Sequence, residues 1–112
     1  MRNAPNFSEF YQKPLILIGE NDRLSVLNKT LNAETLPPFT HWLIAVEGSE
    51  INPKTKAFQW SVVVFPANID GGFNYKFPYY ISAFFLSITE AIKYTKEIEQ
   101  LALQDQLFTV AN

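Results

Sequence analysis

The chain has 112 residues, of which 47% are hydrophobic and 18% charged, with a net charge of −2 and a pI near 5.3. That apolar content can offset the ordering entropy of a folded core, which excludes wholesale disorder. The slight negative charge offers no field for a phosphate backbone, and the absence of cysteine excludes disulfides, thiolate catalysis and cysteine-ligated zinc.

In chain order, the first segment with a readable pattern is Asn6–Lys13, where Phe7, Phe10 and Tyr11 stand at i, i+3 and i+4. This spacing predicts a short helical turn ahead of Pro14. Met1–Lys13 lacks the apolar run and cleavage site of a signal peptide, so a cytoplasmic location is expected. No apolar run is long enough to cross a bilayer, and no membrane association is expected. Leu15–Ile18, apolar and ending at Gly19, predicts a buried strand.

Arg23–Glu34 supports two readings. Leu24, Leu27 and Leu31 fit one face of a helix, whereas Leu24 and Val26 alternating with Ser25 fit the return strand of a hairpin. The nearby asparagines and threonines disfavour a helix, and the balance falls on a strand over Leu24–Leu27.

His41–Ile51 and Lys56–Pro66 predict an antiparallel hairpin turning at Asn52-Pro53-Lys54-Thr55, a tetrapeptide suited to a type I turn. A four-residue loop pairs Ile51 with Lys56, which sets Trp42 opposite Phe65 and Ile44 opposite Val63. Both faces of this hairpin are apolar, so each needs cover. Ala67–Gly72 reads as a turn, and Phe73–Leu86 as a third strand made irregular by Pro78.

At Ser87 the apolar period changes from that of a strand to that of a helix. Ser87 predicts an N-cap accepting from the Glu90 amide, with Glu90 reaching back to complete a capping box. Ile88, Ala91, Ile92, Thr95, Ile98 and Ala102 then share one helical arc, while Thr89, Lys93, Lys96, Glu97 and Gln100 lie opposite. Such a helix covers one sheet face; the other is left to the N-terminal third and to Gln104–Asn112. The expected fold is α+β, a single domain over residues 1–112. It comprises a mainly antiparallel sheet of three to five strands with a C-terminal amphipathic helix packed on one face.

Chemistry is sparse. His41 is the only histidine, and Glu47 on its strand face lies about 20 Å away along an extended chain, too far for a local dyad. Glu20 and Asp22 lack calcium-loop spacing, and Asp70-Gly71-Gly72 lacks the remainder of any phosphate-binding motif. No catalytic set, metal site or cofactor site is expected.

Phe73, Tyr75, Phe77 and Tyr79 alternate, which on an extended backbone sends all four rings to one side, with Lys76 on the other. These five residues are the expected partner-binding set. The strand-into-helix order resembles that of double-stranded RNA-binding domains. Ile88–Lys93, however, offers one carboxylate and one lysine where that family carries a lysine cluster. The expectation is a non-enzymatic protein-binding module, an adaptor or inhibitor, with a homodimer possible and nucleic acid disfavoured. The alternatives are single-stranded nucleic-acid binding through the rings, or a small-ligand or hydrolytic pocket near Trp42 and Trp60.

Overall fold

The computed structural model describes residues 15–29, 39–52, 54, 57–70, 72–73 and 78–111. The expected helical turn over 6–13 and most of the hairpin loop lie outside them. The described chain forms an α+β fold: a four-stranded antiparallel sheet with helices. Its elements are β1 (Ile16–Leu17), α1 (Glu20–Lys29), β2 (His41–Asn52), β3 (Ala57–Ala67), β4 (Tyr80–Ile81), α2 (Ile88–Leu103) and α3 (Phe108–Ala111). The strands lie in sequence order, so β1 and β4 are the edges.

The β2–β3 hairpin forms the centre, in a register different from the expected one. The strands close at Asn52 and Ala57, two residues out of register with the expected Ile51–Lys56 pair, and an irregularity between Glu50 and Asn52 takes one of the two back. Trp42 therefore pairs with Pro66, and Ile44 with Val64. A slip of one residue exchanges faces. Trp42 and Phe65, expected side by side, consequently lie on opposite sides of the sheet.

One face carries Trp42, Ile44, Val46, Val62 and Val64, against which α2 packs through the buried Ala91, Ile98 and Ala102. The same face collects Ile16, Ile18, Val26, Phe39 and Leu107. The described parts of the N-terminal third and the tail thus join α2, rather than serving only the opposite side. That opposite side, Leu43, Ala45, Val63, Phe65 and Ala67, is also buried, with Leu15 and Phe73 packed against it.

Two other expectations change. The strand expected over Leu24–Leu27 is instead part of the helix Glu20–Lys29, because tertiary partners supply caps that its local sequence lacks. Among the described residues of the expected third strand, Tyr80–Ile81 are paired as a strand and Phe73 and Phe85 form single bridges to Ala67 and Trp60. In the turn before it, Asn68 Oδ1 accepts from the Asp70 and Gly72 amides.

Ser87 caps α2 from extended backbone, and its hydroxyl accepts from the Thr89 amide at 3.2 Å, one residue earlier than expected. Ser87→Ala should cost about 1 kcal/mol. Ile98→Ala, which empties a fully buried site, should cost about 2–5 kcal/mol. Urea unfolding of both variants checks this order.

Candidate functional site

Two places concentrate polar or exposed reactive surface: a pair of aspartates where α1 meets the C-terminal segment, and the β4 edge.

α2 ends in a Schellman turn, with the Gln106 amide donating to Leu101 O and the Asp105 amide to Ala102 O. Asp105 occupies the left-handed position at φ 57°, normally a glycine site, at a cost of about 1–2 kcal/mol. Its carboxylate then accepts from the Asn21 and Asp22 amides, both at 2.8 Å, capping α1. Asp22 returns the arrangement: its two oxygens accept from the Leu107 and Phe108 amides at 3.1 and 2.9 Å, capping α3. A methyl at Gly19 would collide with the Asp105 carboxyl, so glycine permits the close approach.

Asp22 is fully buried. Burial raises its pKa, the two backbone donors oppose that, and the Asp105 charge reinforces it. The Trp42 indole N–H lowers it slightly without closing a hydrogen bond; it is the buried side-chain polar atom left unpartnered among the described residues. Tyr79 lies beside this group, 4.8 Å from the Trp42 ring, sharing a 2.6 Å hydrogen bond with Ser25. Burial raises the Tyr79 pKa, and the Asp22 charge adds to it.

Carboxylates therefore do converge near Trp42. Their oxygens are taken up by helix ends, and Trp60 lies elsewhere, stacked on Phe58. His41, half-buried at the start of β2, meets Thr40 Oγ1 through Nδ1 at 2.7 Å. Among the described residues no group of three metal-ligating side chains gathers.

The expected partner-binding set is split. Tyr79 is 5% exposed and belongs to the face beneath α2. Phe73 is half-buried on the other face, its ring 4.7 Å from that of Phe65. These two rings therefore do not share a side. Tyr75, Lys76 and Phe77 lie outside the described residues.

The open apolar surface follows directly after them. Ile81 is 46% exposed, Phe84 58% and Leu86 81%, on the edge formed by β4 and its extension. Phe85 turns inward, bridging Trp60 and lying 5.5 Å from the Tyr94 ring. Tyr80 and Tyr94 join hydroxyls at 2.7 Å, and burial pushes the Tyr94 pKa up. The signal available in the sequence was the absence of any charge from Pro78 to Thr89.

Comparison of the chain with protein-family models, with curated proteins and with solved structures finds no match. Among the described residues no helix is long and apolar enough to cross a membrane.

Asp105→Ala should lose about 2–3 kcal/mol, from two charge-assisted caps. Asp105→Gly should lose less, because it relaxes the left-handed turn; urea unfolding compares the two.

Asp22 supplies a pH test. Its folded pKa lies above the unfolded 3.8, so its stabilising contribution is complete below that value. The contribution then fades as pH rises through the folded pKa. Asp22→Asn, which sets an amide N–H against a backbone N–H, should destabilise by about 1–3 kcal/mol. The deficit should shrink as pH rises above about 4, as followed by thermal melts.

Proposed function

We propose that the protein is a small non-enzymatic interaction module, an adaptor or inhibitor that binds another protein by accepting a strand at its β4 edge. One observation carries this reading: Ile81, Phe84 and Leu86 stand exposed within six residues of an uncharged sheet edge. Sheet edges are commonly guarded by charge, proline or a covering element, because their unpaired backbone groups template further pairing. Pro78 and the shortness of β4 limit pairing at this edge, but no charge guards it. An uncharged apolar edge suits strand addition, in which main-chain bonds supply affinity and side-chain contacts supply selectivity.

The use of Asp22 and Asp105 as helix caps supports a binding role over hydrolysis, since neither is left to act as an acid or base. The burial of Tyr79 moves the docking stretch from the alternating rings to Tyr80–Leu86.

A photo-crosslinking amino acid at position 84, introduced in the native cell, should yield a discrete protein adduct. The same residue at position 100, on the exposed side of α2, should not. Phe84→Lys should abolish the adduct formed from a crosslinker at position 86 while leaving the melting temperature nearly unchanged. Equal labelling from positions 84 and 100 would overturn the assignment.

A further inference from the structure

The surroundings of the β4 edge bear on the chemistry of what docks there, an inference that rests on the strand-addition reading above. Tyr94 marks the flank of α2 that faces β4, since its hydroxyl meets Tyr80 and its ring lies against Phe85. Glu90 and Glu97, four residues before and three after Tyr94, share that flank. Both are exposed, and the Glu97 charge raises the Tyr94 pKa, an independent sign that it stands close. Helical spacing sets Lys93 three residues after Glu90 and four before Glu97, beside both on their solvent side, and turns Lys96 to the opposite flank. The edge is therefore apolar and uncharged along its strand, with a carboxylate pair above it on the α2 side.

We propose that this edge receives an extended cationic segment of a partner protein, with lysine or arginine alternating with apolar residues. Side chains of an added strand alternate between the two faces of the sheet. Those on the α2 side would meet Glu90 and Glu97, which favour cations. Those on the far side would meet Ile81, which pairs with Val63 and so faces away from α2. A second copy of this chain is the poorer occupant. Two-fold pairing of β4 with itself, about an axis normal to the sheet, sets the two α2 flanks face to face and opposes Glu90 and Glu97 to their own counterparts. An oligonucleotide is disfavoured by the same two charges.

The test is a fluorescence-anisotropy titration of the full chain with short capped peptides that alternate valine with lysine, serine or glutamate. The lysine peptide should bind about two- to thirty-fold tighter than the serine peptide, from two exposed charge pairs, and added salt should narrow the gap. Glu90→Gln with Glu97→Gln should remove that advantage and leave the serine peptide unchanged; Lys96→Gln should alter neither. Equal binding of lysine and serine peptides, or an advantage that survives the double variant, overturns the cationic assignment while strand addition stands. Binding of neither lysine nor serine peptide overturns both. A doubled molecular mass of the free protein in solution, abolished by Phe84→Lys, would instead install the second copy as occupant.

Discussion

The arrangement depends on a central hairpin whose two faces are both buried. Trp42, Ile44, Val46, Val62 and Val64 lie on one side, and Leu43, Ala45, Val63, Phe65 and Ala67 on the other. Each fully buried side chain contributes on the order of 1.5–3 kcal/mol. A slip of one residue would exchange the two sets and misplace everything packed on them. With that register held, α2 covers the Trp42 side, and β1, α1 and the segment around Leu107 gather at its C-terminal end. β2 spans about 40 Å and α2 about 24 Å, so the helix cannot shade the whole ribbon. Ile51 and Phe58 near its tip remain exposed accordingly.

The acidic chemistry of the chain is largely absorbed by this packing. Asp105 caps α1 and Asp22, within α1, caps α3, so two carboxylates far apart in sequence each cap a helix from the other end of the chain. The exchange couples the N-terminal helix to the end of the chain. It accounts for three local oddities together: a non-glycine residue at positive φ, a glycine with no room for a methyl, and a fully buried aspartate. A pair that resembles a catalytic dyad by proximity serves as structure.

Exposed apolar surface is instead found where the sheet runs short. β4 is only two residues long before the chain turns inward at Phe85 and enters α2. The hydroxyl pair of Tyr80 and Tyr94 ties that short strand to the helix, which brings the Glu90 and Glu97 flank over the edge. Apolar exposure and selective charge thus arise from one junction.

Much of the scaffold was legible in the residues themselves. The α+β class, the central hairpin, the Ser87 cap and the buried arc of α2 follow from periodicity and capping chemistry, which act between near neighbours in the chain. What escaped depended on partners distant in sequence or on small shifts of phase. α1 reads ambiguously because its cap is Asp105, more than eighty residues away. The hairpin register turned on one irregular residue between Glu50 and Asn52, which local composition does not disclose. Phe73 and Tyr79 alternate in the sequence but lie on opposite faces of the folded sheet. Local pattern, in short, determined which helices and strands exist. Only the folded chain decided which carboxylates are consumed and which apolar residues are left at an open edge, because burial and capping are settled by contacts between distant segments.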